Sequence, residues 1–347
     1  MRCPTVPELP PPPEGKADWP WTTEAPALEQ AMPDGNPWPR ISVVTPSFNQ
    51  GAFLEETIRS VLLQGYPNLE YIVIDGASTD NTCDVLKKYE PWLTYWTSEQ
   101  DNGQSDAINK GWHKSKGEII AYLNSDDVYC PGAFAIAVEH LVKHPDVGMV
   151  HADSHFINEP GRLLRQHKGR EVTLEDVLCW SSHISQPTVF LRRAVIDCVG
   201  MMDVGLHYAM DFDLWIRVAV RYQIKYLPCF LAKERHHRLA KTTAAPQDGL
   251  LARIVAIERL FSRIQQPQIV AMKSKAMATH YLQMAWYCLG RRNMSIQAKV
   301  FARKALTLSP PLSLFLKGWM VQLLAVPLDS RLGVWAREIK QQGRMIR

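Results

Sequence analysis

The stretch EIIAYLNSDDVYCPGAF, residues 118–134, decides how this chain is read. Ile119 to Leu123 is a short apolar run suited to a buried strand. It leaves the core onto two adjacent carboxylates, Asp126 and Asp127, and turns at Pro131-Gly132. Asp is common in turns, so capping or solvation is the plain explanation for either acid. Their placement asks for more. Neighbouring carboxylates repel, and a hard divalent cation relieves that repulsion. Mg²⁺ typically takes one or two protein carboxylates and completes its shell from phosphate oxygens and water.

The same grammar recurs on both sides. RISVVTP (40–46), LEYIVID (69–75) and WLTYWTS (92–98) are strand candidates, and polar turn residues follow them. FLEETIRSVLLQ (53–64) puts Leu54, Ile58, Val61 and Leu62 on one helical face. NTCDVLKKY (81–89) opens after Ser78, Thr79 and Asp80, all potential N-caps. Strands alternating with helices predict an α/β domain with a mainly parallel sheet. Ligands bind outside the carboxyl ends of such strands, so Asp75, Asp126 and Asp127 should gather on one rim.

Composition narrows the setting. The chain has 347 residues, 46% hydrophobic, with 39 Lys and Arg against 35 Asp and Glu, a net charge of +4. That mild excess, without a dense basic block, does not call for nucleic acid. It leaves room for a polyanionic surface such as a membrane. The seven cysteines are scattered and never fall in a CxxC pair, which argues for a reducing compartment. The N-terminus lacks the order of a signal peptide, and no run of about 18 apolar residues predicts a membrane span.

Residues 1–39 are Pro-rich and predict a disordered or extended lead lying against the domain, with Trp19, Trp21 and Trp38 as docking points. The α/β domain should run from 40 to 245, and 246–347 reads as a helical region. MATHYLQMAWYCLG and SIQAKVFARKALTLSP there suggest one tetratricopeptide-like hairpin. In 311–328, Leu316, Trp319, Leu323 and Val326 form either a membrane-surface stripe or one side of a core helix.

Further residues could carry chemistry. Asp75, at a strand end, could accept hydrogen bonds from a nucleobase or ribose, although no GxGxxG signature marks a dinucleotide site. SEQDNGQSDAINKG (98–111) supplies Glu99, Asp101, Asp106 and Asn109 as a wall of the same pocket. We place Asp106 among the donor-binding residues. In MDFDLWIR (210–217), Asp211 and Asp213 open a helix, where negative charge is favoured. Phe212 and Trp215 would desolvate a carboxylate and suit it to general-base work. His236 and His237 are adjacent and do not share a helix face, so one of them at most is expected as a ligand. Their basic neighbours Lys233, Arg235, Arg238 and Lys241 suit an anion.

Taken in order, ISVVTPSFNQGAFLEETIRSVLLQGYPNLEYIVIDGASTDNT, SEQDNGQSDAINKG, GEIIAYLNSDDVYCPGAF, QPTVFLRR, MDFDLWIR and RHHRLAKT resemble a family 2 glycosyltransferase with the nucleotide-diphospho-sugar transferase (GT-A) fold. The resemblance covers about residues 40–245. It implies a Rossmann-like three-layer domain with a mainly parallel mixed sheet. By position in the motifs, Thr45 and Pro46 match the first nucleotide-contact loop and Asp75 the acid associated with the nucleoside. Asp127 matches the main metal-binding acid, for Mn²⁺ or Mg²⁺, and Asp126 its neighbour facing the donor sugar and diphosphate. Asp211 matches the acceptor-activating base and His237 a histidine near the diphosphate or metal. Two departures stand out. Gly76 replaces an acid common in the family, and Asn124 and Ser125 stand where many members carry another.

The implied activity is metal-dependent transfer of a sugar from a nucleotide-diphospho-sugar to a hydroxyl of a saccharide or lipid-linked acceptor. Inversion at the anomeric carbon is expected. The implied setting is surface polysaccharide synthesis, cytoplasmic or peripheral at the inner membrane face, with no nucleic acid and with homo-oligomerisation open. A catalytically inactive sugar-nucleotide-binding or protein-interaction module is the alternative, since the acidic motif is reduced.

Overall fold

Four β-branched and aromatic runs form the parallel half of the sheet. These are β1 (Ile41–Ser47), β2 (Leu69–Asp75), β3 (Tyr95–Ser98) and β4 (Ile119–Tyr122), in spatial order β3-β2-β1-β4. In β1, β2 and β4 residues on both faces are buried, as a sheet covered on two sides requires. Helices α1 (Gly51–Leu62), α2 (Thr82–Tyr89) and α4 (Ala133–Lys143) share one core with Ile41, Val43, Tyr71 and Val73. Helix α3 (Gln104–Lys114) packs against β1 and β2.

This computed structural model describes residues 2–180, 183–238, 240, 241, 245–289, 291 and 294–309. It divides into two units, Met1–Ala244 and Ala245–Arg347.

The sheet then changes direction. β8 (Phe190–Arg192) runs antiparallel to β4 and to β6 (Val147–Asn158), and β9 (Gln223–His236) runs parallel to β6. β5 (Val128–Tyr129) closes the far edge against β9, and β7 (Leu163–His167) hangs on β6. The β5–β9 register pairs Val128 with Lys233 and Tyr129 with Ala232. Continued backward along an antiparallel ladder, that register brings the acidic turn beside Arg235. Helices α5 (Leu174–Cys179), α6 (Arg193–Val199) and α7 (Met210–Ala219) complete the unit.

The N-terminal lead is not a loose extension. Its backbone bonds to the end of the α1 region through Cys3 N to Tyr66 O, Ala25 N to Leu63 O and Leu28 N to Gly65 O. Its anchor is Arg59 of α1, which is fully buried. Arg59 donates to the carbonyls of Pro20 (3.0 Å), Pro10 (2.9 Å) and Trp21 (2.7 Å) and to the Tyr89 hydroxyl (3.0 Å). A buried guanidinium must have its donors satisfied, and a proline-rich segment offers carbonyls with fewer competing amides. Of the two forms expected for this lead, disordered or extended against the domain, the structure shows the second, because α1 carries a buried cation that needs those carbonyls.

The second unit holds α8 (Pro246–Arg263), α9 (Pro267–Val270), α10 (Lys273–Leu289) and α11 (Ser295–Leu308). α10 and α11 form a hairpin around Ala278, Leu282, Ala285, Ala302 and Ala305, with Tyr281 stacked on Phe301 at 6.1 Å. The apolar stripe expected in 311–328 lies outside the described residues. Among the described residues no helix is long and apolar enough to cross a membrane.

Candidate active site

The parallel strands β1, β2 and β3 end level, with Ser47 opposite Asp75 and Asp75 opposite Ser98. Asp75 is buried and closes its own turn. It accepts from Ser78 N at 2.9 Å, Ser78 Oγ at 2.5 Å and Ser98 Oγ at 2.6 Å. The loops after β1 and β2 are stitched together. Asn49 N donates to Ser78 Oγ, Thr79 N to Asn49 Oδ1, and Asp80 receives the amides of Gly51 and Thr82. Thr45, expected at the nucleotide contact, instead points into the core and bonds the Tyr71 hydroxyl at 3.1 Å. Pro46 lies within β1, opposite Ile74. The rim on this side therefore begins after Thr45 and Pro46.

Gly76 has a spatial reason. A Cβ there would lie 2.9 Å from Oδ2 of Asp101. The carboxylate missing from position 76 is thus matched by one from the next loop. Burial pushes the Asp101 carboxyl up, against the Gly103 amide and Lys110, with Asp106 and Asp75 adding to the rise. Asp106 itself caps the start of α3, where the Asn102 amide donates at 3.0 Å and holds its carboxyl below the usual range.

The two acids of the central turn face different surroundings. Asp127 is 3% exposed. Its Oδ1 accepts Arg235 N at 2.8 Å and its Oδ2 accepts Asn124 Nδ2 at 3.2 Å. Burial, with the charges of Asp126 and Glu234, pushes its carboxyl well above the usual range. Asp126 has a side chain 15% exposed, and its Oδ2 lies 2.9 Å from His237 Nε2. Asp127, expected to hold the metal, is buried against Arg235 N and Asn124 Nδ2, and Asp126 is the more exposed acid, paired with the histidine.

Arg235 also differs from expectation. It does not await an anion. Its Nε donates to Asp126 O (2.8 Å), its second nitrogen to Glu159 O (2.7 Å) and Asn158 O (3.2 Å), and its third to Glu56 Oε2 (3.0 Å). From the other side, α1 presents polar groups at helical spacing. Thr57 Oγ1 lies 2.9 Å from Ser125 O and 2.7 Å from Asp127 O, Ser60 Oγ receives Tyr129 N, and Gln64 just past the helix donates to Cys130 O. Sequence periodicity marks the apolar face of α1 and passes over these three. A Ser/Thr/Gln row at i, i+3 and i+7 inside an otherwise apolar face was the available signal. Thr57→Val is expected to cost about 1–3 kcal/mol, because buried carbonyls lose their donor. Thr57→Ser, which keeps the hydroxyl, should restore that stability. Thermal unfolding of the three proteins checks this.

Helix α3 joins the acidic turn to α7. Gln104 Nε2 donates to Asn124 Oδ1 at 2.6 Å, and Asn124 Nδ2 donates to Gln186 Oε1 at 3.1 Å. One residue on, Ser105 Oγ meets Met210 Sδ at 3.0 Å, and Asn109 exchanges two bonds with the backbone of Met202. Asp211 follows Met210 in the first turn of α7, where Ala209 takes a left-handed conformation (φ 55°). After burial, the charges of Asp211 and Asp127 push the Tyr122 hydroxyl well up, so both acids act on the end of β4. Asp213 is occupied elsewhere, in a 2.8 Å ion pair with Arg217.

Comparison with known proteins settles the family. The glycosyl transferase family 2 model matches residues 42–200. An uncharacterized glycosyltransferase of Mycobacterium tuberculosis is 42% identical over 197 residues, covering 56% of this chain and 74% of that one. The chain belongs to glycosyl transferase family 2. Two solved structures show the same fold. TarS of S. aureus matches with a TM-score of 0.59 at 16% identity, over 82% of this chain and 54% of that chain. The mannosyltransferase PcManGT of Pyrobaculum calidifontis, in complex with GDP-Man and Mn²⁺, matches at 0.56 and 19%, over 82% and 81%.

As a family 2 glycosyltransferase this protein is a transferase with a GT-A α/β domain and added C-terminal helices. Among its described residues no group of three or more His, Cys, Asp and Glu could hold a metal ion. The Asp126–His237 pair fits an ion that draws its remaining ligands from a diphosphate and water rather than from a protein cage.

Proposed function

We propose that the protein moves a sugar from a nucleotide-diphospho-sugar onto a hydroxyl of a saccharide or lipid-linked acceptor in polysaccharide synthesis, inverting the anomeric carbon. The observation that carries this reading is the convergence made by α3. Its first turn touches Asn124, which leads into the acidic turn, and Met210, which presents Asp211.

Asp126 and His237 would hold Mn²⁺ or Mg²⁺. Such an ion, when bound, offsets the charge of the departing diphosphate. Asp127 braces the turn from beneath, while Arg235 and Thr57 fix its carbonyls. Asp75 and Asp101 frame the nucleoside end, and Asp106 caps the wall beside them. Asp211 takes the proton from the acceptor hydroxyl as its oxygen bonds to the anomeric carbon. The bond to the diphosphate oxygen breaks on the opposite face, and the configuration inverts. The neighbour solved with GDP-Man and Mn²⁺ supports a nucleotide-sugar and metal reading. The seven cysteines are all free thiols, which suits work on the cytoplasmic side.

Calorimetric binding of a panel of nucleotide-sugars, with Mn²⁺, with Mg²⁺ and with chelator, tests the donor half. One donor should bind in a metal-dependent manner. Equal binding in chelator would remove the metal from the proposal, and no binding by the folded protein would favour the inactive-module alternative. NMR of the product tests inversion; a retained configuration would overturn it.

A further inference from the structure

The β6–β7 hairpin has a surface that the transfer reaction does not use. Among the described residues β7 pairs with β6 alone, and its residues Leu163 and Leu164 are 58% and 56% exposed. Alternation along a strand would normally turn one of two neighbours inward. Here neither is covered. Residues 161–170, GRLLRQHKGR, carry four Arg or Lys and no Asp or Glu. Lys168 pairs with Asp153 at 2.7 Å and Arg170 with Asp176 at 2.6 Å. Arg165 lies 4.2 Å over the Phe156 ring. Among the described residues Arg162 and Arg165 form no ion pair with a carboxylate.

Edge strands are commonly protected by charge, and arginines alone would serve that purpose. Two exposed leucines set between them would not. Apolar side chains flanked by unpaired cations match the boundary between lipid headgroups and acyl chains. A second copy of this chain is a poorer fit, because a two-fold contact would set arginine against arginine.

We propose that this hairpin docks the protein on an anionic phospholipid surface, with Leu163 and Leu164 entering the interface and Arg162 and Arg165 meeting lipid phosphates. The hairpin is tied to the catalytic rim. Arg235 bonds Asn158 and Glu159 at its turn and Asp126 O in the acidic turn with one guanidinium. Docking here would hold the cleft beside a membrane-borne acceptor. The surface itself stands independently of the donor chemistry.

The test is flotation of the full chain with phosphatidylcholine vesicles, with and without phosphatidylglycerol, at low and high salt. The wild type should float only with phosphatidylglycerol and less at high salt. The Arg162→Gln, Arg165→Gln double variant should lose about 5-fold per arginine. The Leu163→Ser, Leu164→Ser double variant should lose about tenfold at fixed lipid composition. Nucleotide-sugar binding by both variants should match wild type, separating docking from the transfer reading. Wild type that ignores phosphatidylglycerol, or variants that float as well as wild type, would overturn the proposal. Should a double variant fail to fold, Arg162→Gln alone should show the same loss at smaller amplitude, and unchanged flotation by that single variant would count against the proposal equally.

Discussion

Asp126→Asn is expected to lower transfer by about three orders of magnitude or more and to remove its response to Mn²⁺ and Mg²⁺. The substitution keeps shape and removes the charge that faces His237 at 2.9 Å. Folding should be little changed, because the backbone of the turn is held by Arg235 and Thr57 through carbonyl oxygens. The informative comparison is Asp127→Asn. Its carboxylate accepts from Arg235 N and Asn124 Nδ2 in a buried site, so its replacement should lower the unfolding midpoint and leave the metal response in place. Activity measured across a Mn²⁺ titration, beside thermal unfolding, separates the two acids. A metal response lost in Asp127→Asn but kept in Asp126→Asn would restore the assignment drawn from motif position and reject the one drawn from geometry.

Asp211→Asn is the second large effect. A positioned base contributes about 10²–10⁴-fold, so kcat should fall by that factor while donor affinity stays within about twofold. The residue opens α7, and under the proposed mechanism it acts on the acceptor hydroxyl rather than on the donor diphosphate. Asp213→Asn serves as a contrast two residues on. That carboxylate pairs with Arg217, whose other donors hold the carbonyls of Val199, Gly200 and Met201. Its loss should show as reduced stability with the per-molecule turnover of folded protein retained. Single-turnover assays with donor binding measured in parallel check both. Turnover at the wild-type rate in Asp211→Asn would refute its role.

Much of the domain was legible in order and type. The apolar run before Asp126, the β-branched runs 40–46 and 69–75, and the helical face of Leu54, Ile58, Val61 and Leu62 are local patterns with periods of 2 and 3.6. Local periodicity also placed Asp75 and the two central acids at strand exits on one side of the sheet. The ordered motifs carried the family.

Tertiary structure decided what periodicity cannot express. Which of two adjacent acids faces outward depends on β9, whose register with β5 sets Arg235 N against Asp127 and His237 against Asp126 from more than a hundred residues away. Arg235, which the basic run around it would offer to an anion, and Arg59 of α1 are each buried among carbonyls supplied by distant segments. Thr45 lies at the end of the right strand but on its inner face, against Tyr71. Gly76 looks like a missing acid until Asp101 is seen filling its space. In each case the deciding partner is remote in the chain. The sequence determined which residues could be brought to the rim, and long-range register and burial determined which way each one points.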